Sequence, residues 1–429
     1  MKAAIWLLTL FGTAVALSMG ADHPGGLVSL FISGYRVDLS INFAVIVLIT
    51  SFLTIYFAIK AVSSLLALPQ VAKRWRLQQR ERSMHESLLN GLEQLMTGRF
   101  LRSARSAAIT IEHANTLEQQ TQNTDSAPKY LHQLRALAHL IGAESAQALR
   151  DIQSRDHHLQ AIIQETSRTG DSPYETKEAA MLSAARWSLA EADPIAALTW
   201  LGELKGGVSR RTLTLRLKLK ADRLAKHHLA ALETARLLNK HGAFSDNAAQ
   251  GLLRSLCVAS LEDCYDQHQL EQTWRLLDAR ERALADVAMH ASERMLSLSG
   301  NSQTALAWLS PIWNLLVSRP SALSESQQIR LIQTLASHLK VIGADKHWLT
   351  EIDQARAMNP RNSLLQYLGA MACMYNGLWG KAQQLMHEAS QQLTNPVLKK
   401  SAWLILAELA VQRGQEAEAV AYWKKISLS

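Results

Sequence analysis

The chain is poor in the residues from which catalytic and metal sites are usually built. In 429 residues there are three cysteines, Cys257, Cys264 and Cys373. None forms a CxxC pair, which excludes a zinc knuckle and a thioredoxin-type redox motif. They read as buried free thiols of a reducing compartment, with Cys257 and Cys264 spaced to share a helix face. No GxGxxG opens a βαβ unit, and the P-loop, GxSxG and HExxH patterns are absent, so dinucleotide, nucleotide, serine-hydrolase and zincin readings fall away. Histidine is plentiful, but His157-His158 and His227-His228 are adjacent pairs, and neighbouring helical positions do not share a face. They read as surface histidines rather than haem or metal ligands. No Cys-Pro step of the kind found at haem-sensing sites occurs. With no nucleophile, base or metal cluster assembled, the expectation is a protein that is not an enzyme and has no resident cofactor.

Charge is also scarce. Charged residues make up 19% of the chain, below the soluble average of about 25%, which points to apolar segments. The net charge of +8 is uneven. Residues 1–82 hold eight basic and three acidic side chains, a net of +5, leaving +3 for the remaining 347 residues. A nucleic-acid binder carries its basic charge on the folded body, so no nucleic-acid partner is expected.

Two apolar runs explain the deficit. Residues 3–21 carry no charge and residues 41–68 carry only Lys60. Each is long enough to cross about 30 Å of hydrocarbon as a helix. The first also has the look of a cleavable signal, with Lys2 ahead of it and "AVALSMGA" at its end. The second is followed by "LPQVAKRWRLQQRERS", with Lys73, Arg74, Arg76, Arg80 and Arg82 against Glu81. That cluster marks the cytoplasmic side and suits anionic headgroups. Both termini are then expected in the cytoplasm. In the loop at 22–40, Tyr35, Val37 and Leu39 alternate with Arg36, Asp38 and Ser40, a half-buried strand pattern, with Ser33-Gly34 placed to turn the chain.

From residue 84 the periodicity is helical, and prolines fall mostly between periodic stretches. The C-terminal end repeats in the 34-residue tetratricopeptide pattern. Trp403, Leu406, Ala407, Gly414, Ala419 and Trp423 hold its aromatic, leucine, small, turn, alanine and second aromatic positions, and the unit before is similar, with Leu365, Leu368 and Gly369 leading into Gly377, Trp379, Ala382, Met386 and Ala389. Small residues belong where paired helices cross closely, and glycine where a positive φ ends the first helix. Weaker units are marked by Gly91, Gly98 and Phe100; by Gly142; by Ala185, Ala192 and Ala197; and by Gly300, Ala305 and Trp308. Between 205 and 285 no repeat is placed. The tryptophans from Trp187 to Trp423 are expected to plug the core.

One further stretch, "RRTLTLRLKLKADRLAK" at 210–226, carries Arg210, Arg211, Arg216, Lys218, Lys220, Arg223 and Lys226 against Asp222. Its alternation suggests a strand, whereas Leu213, Leu217, Ala221 and Leu224 make a helical stripe, which the helical neighbourhood favours. Its basic face is a candidate for an anionic partner.

The order of these parts resembles the HemY family of proteobacterial inner-membrane proteins. Two spans, a strand-like outer loop, a basic neck, "GLEQLMTGRF" and the later "LQYLGAMACMYNGLWGKAQQLMHEA" carry the resemblance. It implies a link to late haem (protoporphyrin) biosynthesis. An unrelated flavoenzyme, a protoporphyrinogen oxidase, shares the family name, and the missing dinucleotide fingerprint separates this chain from it. The tetratricopeptide protein of lipopolysaccharide control has one span and a CxxC pair, unlike this chain. The expected fold is all-α: a two-helix transmembrane hairpin (1–70), a basic neck (71–83) and a cytoplasmic tetratricopeptide-like α-solenoid (84–429). The expected function is a non-catalytic scaffold at the inner membrane that binds proteins, haem-biosynthetic enzymes among them. The alternatives are a direct haem or porphyrin carrier and an assembly factor for another envelope process.

Overall fold

The computed structural model describes residues 12–13, 27–32, 34–121, 130–168 and 174–427. The chain falls into two compact units, residues 1–176 and 177–429.

The first unit opens with a two-stranded antiparallel ribbon. β1 (Leu27–Ile32) pairs with β2 (Tyr35–Ser40) in the register Leu27–Ser40 to Ile32–Tyr35, and Gly34 has φ +84° at the turn. The alternation in 35–40 thus marks a real strand, but most of the ribbon's side chains are exposed rather than half-buried. A lone pair of strands has no layer to cover it. Ser40 then caps α1 (Ile41–Met96), accepting from the Phe43 amide. This helix of 56 residues is about 84 Å long and carries the apolar run, the basic neck and the first repeat helix without a break. The boundaries expected at 70 and 83 lie inside it. Among the described residues one stretch is long and apolar enough to cross a membrane, Phe43–Ser64, with mean hydropathy 2.2. The other expected span, 3–21, lies outside the described residues except for 12–13.

α2 (Phe100–Thr121) folds back on α1, and α3 (Tyr130–Ala148) pairs with α4 (Ile152–Arg168). The second unit holds α5 (Tyr174–Ala190), α6 (Pro194–Gly202), α7 (Thr212–Leu224), α8 (His228–Lys240), α9 (Asp246–Glu262), α10 (Gln267–Leu276), the short α11 (Ala279–Arg282), α12 (Ala285–Ser297), α13 (Ser302–Ser318), α14 (Glu325–Ile342), α15 (Lys346–Met358), α16 (Ser363–Tyr375), α17 (Trp379–Gln392), α18 (Pro396–Gln412) and α19 (Glu416–Ser427).

One turn recurs through both units. At Gly98, Arg150, Ala192, Lys226, Gly242, Ser299, Gly377 and Gly414 the backbone takes a positive φ just past a helix end. In each case the next amide reaches back five residues: Leu378 to Cys373 at 2.8 Å, Gln415 to Ala410 at 2.9 Å, His227 to Asp222 at 2.8 Å. This is the Schellman ending, which satisfies carbonyls the helix leaves open and reverses the chain. Seven residues before and five after four of these turns, those at Gly98, Ala192, Gly377 and Gly414, the paired helices meet through small residues. Ala370 and Ala382, Ala407 and Ala419, and Ala185 and Ala197 are nearly inaccessible, and Ser103 Oγ donates to Gly91 O at 2.8 Å. These are helix hairpins of the tetratricopeptide kind, and they place a pair at α7–α8, inside the stretch where sequence spacing gives no signal.

The tryptophans divide. Trp187, Trp274, Trp313 and Trp348 are buried, and Trp274 stacks on Trp308 at 4.8 Å between centroids. Trp403 is half-buried under Lys399 Nζ. Trp379 and Trp423, expected as plugs, are 45% and 48% exposed. Trp379 is the first residue of α17, ahead of the crossing that Ala382 occupies, and no later described helix covers Trp423. The three cysteines are free and buried, as expected, and burial pushes the Cys257 thiol up to about 12.

The turns make a paired prediction. A Cβ at Gly377 would meet nothing within 4 Å, so Gly377→Ala carries only the backbone penalty, about 1 kcal/mol. Lys226→Gly relieves the same strain at φ +60° and should stabilise by up to about 1 kcal/mol. Urea unfolding of the two variants should move the midpoint in opposite directions.

Candidate functional site

A concave surface of the second unit lies across α14, α16 and α18; α16 and α18 are the first helices of two successive hairpins, and α14 packs beside α16. It is a groove of about 550 Å³ whose lining includes Lys340, Tyr367, Met371, Tyr375, Leu404 and Glu408. Tyr367 Oη and Ser401 Oγ are 3.0 Å apart, tying α16 to α18. Burial, with smaller effects from Tyr367 and Glu408, pushes the Tyr375 phenol up to about 12, so it remains a neutral hydroxyl at physiological pH. Leu404 projects into the groove 48% exposed. The groove therefore offers apolar area, phenolic hydroxyls, one cation and one anion, a lining suited to a polypeptide surface. Sequence spacing indicated the helices but not this groove, whose residues lie at positions the repeat pattern leaves variable.

The basic stretch at 210–226 is helical over α7, not a strand. Its buried side is Thr214, Leu215, Leu219, Ala221 and Asp222, while Leu213 and Leu224 of the expected stripe are exposed. Arg216, Lys220 and Arg223, spaced by four and three, share one face; Lys218 projects from another. Arg216 Nη2 donates to Ala243 O at 3.1 Å, and Arg211 lies 3.6 Å from Glu178. Arg210 ends the 3-10 turn Val208–Arg210. The six cations thus do not form one patch. Asp222 beneath them has its carboxyl raised by burial, against the pull of Lys218 and His227.

In the neck, Lys73, Arg76 and Arg80 line a groove of about 510 Å³ with Pro69, Ala72, Leu77 and Gln120. Arg74 falls on the same helical stretch, and Arg82 lies beyond it, exposed.

The first unit contains a polar core that sequence reasoning missed. Arg135 of α3 is buried. It pairs with Glu118 of α2 and, at 2.6 Å, with Glu165 of α4, whose carboxylate also meets His132 Nδ1 at 3.0 Å. Burial works against Glu165 ionising, but the Arg135 and His132 contacts win and hold its carboxyl below the usual range. One turn along α3, His139 Nδ1 lies 2.9 Å from His158 Nδ1. A Cβ at Gly142 would sit 2.8 Å from His158 Nε2, so this glycine makes room for the ring within the α3–α4 hairpin, eight residues ahead of its turn at Arg150. His157 is exposed, as expected, but His158 is half-buried. His227 is exposed, and His228 Nε2 lies 3.4 Å from Asp263. Among the described residues, no group of three or more His, Cys, Asp or Glu side chains is placed to hold a metal ion.

Residues 26–150 match the family model described as HemY protein N-terminus. That region takes in the ribbon, α1, α2 and α3, including Arg135 and His139. A search of curated proteins finds no match to the chain. Several solved structures are similar to the chain. They include Naa15/Naa10 bound to HypK-THB (14% identity, TM-score 0.25, 78% of this chain and 56% of that one) and the TPR domain of P58(IPK) (14%, 0.21, 77% and 99%). The APC/C hetero-tetramer Cut9-Hcn1 is a third (14%, 0.22, 78% and 70%). The chain thus spans little more than half of the first. Scores this low put no weight on these structures, and the repeat geometry stands on the turns and crossings themselves.

Burial, together with the neighbouring His158, holds the His139 ring down to about 4. The unfolded chain takes up this proton near pH 6.5, the folded chain only near 4. Stability is therefore fully present above pH 6.5 and falls as pH drops toward 4. His158, also lowered by burial, adds in the same direction. Chemical denaturation between pH 7 and 4.5 should show this loss, and His139→Gln should flatten it. Arg135→Ala should cost roughly 3 kcal/mol at pH 7, because it leaves two carboxylates without their buried partner.

Proposed function

We propose that this chain, which belongs to the HemY family through residues 26–150, is a membrane-anchored, non-catalytic scaffold. It holds partner proteins of late haem biosynthesis against its helical repeats. The groove across α14, α16 and α18 carries this reading: three helices present one concave surface with apolar and phenolic groups in it, as repeat arrays do for protein ligands. The stretch Phe43–Ser64 fits a span, and the cations just past it support a cytoplasmic side for the repeats. With an N-terminal span as well, both termini are cytoplasmic and the protein is multi-pass in the bacterial inner membrane.

The test is affinity purification of the full chain in mild detergent, with mass spectrometry of the proteins that accompany it. Haem-pathway enzymes should be recovered. Leu404→Glu, at an exposed groove position that folding does not need, should reduce their recovery at least about fivefold, since hot-spot losses exceed 1 kcal/mol. Recovery of lipopolysaccharide, division or proteolysis factors in their place would contradict the haem link. Full recovery with Leu404→Glu would contradict the groove.

One observation favours a second reading, direct porphyrin carriage. The exposed His227 follows Lys220 and Arg223 in sequence just past the end of α7, its Nδ1 4.0 Å from Asp222, an imidazole in a basic stretch that suits propionates. A Soret shift on haem titration that His227→Ala abolishes would support it. The scaffold reading predicts no such band.

A further inference from the structure

We propose that the groove at the base of the neck is a binding site for the headgroup of one anionic phospholipid. Its walls come from α1, through Pro69, Lys73, Arg76, Leu77 and Arg80, and from the last turn of α2, through Gln120. Positions 69, 73, 76 and 80 are spaced by four, three and four, so they share one helix face. Three cations line the groove and no acid does. Glu81, the acidic residue next to it in sequence, is engaged by the Tyr130 hydroxyl. The floor is firm: Leu77 packs on the cluster of Met84, Ala114, Leu117 and Leu131.

Position points to a lipid rather than to a soluble anion. The apolar run ends at Leu68. Lys73 and Arg76 lie five and eight residues on, about 7.5 and 12 Å along the helix. The headgroup layer on each side of the hydrocarbon is about 5–7 Å deep. Because α1 leaves the bilayer in the N-to-C direction, its Cβ atoms tilt back toward the membrane. Lys73 and Arg76 therefore reach down to the level of the phosphates, with their stems along the groove wall, and Arg80 closes the outer end. Trp75, 63% exposed on the same turn, sits where interfacial tryptophans anchor. A glycerophosphate anion fits this lining. A choline headgroup brings a cation of its own into a pocket that already holds three.

This inference rests on the membrane-anchor reading, and the two fail separately. The full chain is reconstituted in nanodiscs with equal phosphatidylglycerol and phosphatidylcholine and released for native mass spectrometry. One phosphatidylglycerol should stay with each chain, in preference to phosphatidylcholine. Lys73→Gln with Arg76→Gln and Arg80→Gln should lower its retention at least about tenfold. Arg216→Gln with Lys220→Gln and Arg223→Gln, which removes the same charge from the repeats, should leave it unchanged. Equal retention of both lipids, or full retention by the neck variant, would overturn the site. Displacement of the lipid by millimolar inorganic phosphate would also overturn it, by showing a soluble-anion pocket. Release of the wild-type chain from vesicles at alkaline pH would instead overturn the anchor itself.

Discussion

The fold depends on how closely two helices approach where each hairpin crosses. At Gly91 and Ser103 the contact is a side-chain hydroxyl bonded to the opposite helix's backbone. At Ala370 and Ala382, or Ala407 and Ala419, two methyl-sized residues are buried together. A larger side chain at either position would push the helices apart and open the interdigitated layer between them. The Schellman turn between these positions fixes their distance along the chain, so turn and crossing act as one unit. The consequence is modular: each hairpin buries one face against its partner and offers the other to its neighbours. The groove across α14, α16 and α18 exists because the hairpins α16–α17 and α18–α19 present their first helices to the same side as α14, which packs on α16.

The first unit adds polar constraints to that plan. Arg135 joins α2, α3 and α4 through two carboxylates, and His139 and His158 meet where Gly142 leaves room. Buried charge of this kind stabilises little beyond well-packed apolar residues, but losing one partner is costly. It therefore makes the arrangement of these helices specific. The same region carries the neck groove and the family match. α1 is one helix from the apolar run to the first crossing, so the repeat that packs on its end is coupled mechanically to whatever holds the neck.

How much of this was legible in sequence follows from which residues occupy the turns. At Gly98, Gly377 and Gly414 the left-handed glycine is flanked by small residues at the crossing, and the hairpin can be read directly; at Gly242 the later position is Asn247, and it cannot. Where it is Lys226, the backbone has the same conformation, but neither that side chain nor Leu219 at the crossing carries a sign of it. The repeat at α7–α8 was invisible for that reason. In α7 the leucines at 213, 215, 217 and 219 alternate, so helical and strand stripes coincide, and packing alone selects Leu215 and Leu219 for the core. Trp379 and Trp423 were misassigned because hydrophobicity does not say whether a neighbouring helix covers a position. The ribbon at 27–40 was legible because alternation and a glycine turn coincide there. The groove and the Arg135 network were not, because both join residues far apart in sequence with no local pattern.

The central claim is that the concave side of α14, α16 and α18 is where partner proteins sit. Site-specific photocrosslinking in intact membranes tests it most directly, with the reactive group placed in turn at Leu404 and Lys340 in the groove and at Gln391, an exposed residue of α17 outside the groove lining. The account predicts discrete partner adducts from the two groove positions and none from Gln391. Adducts of equal yield from Gln391, or none from the groove, would contradict it.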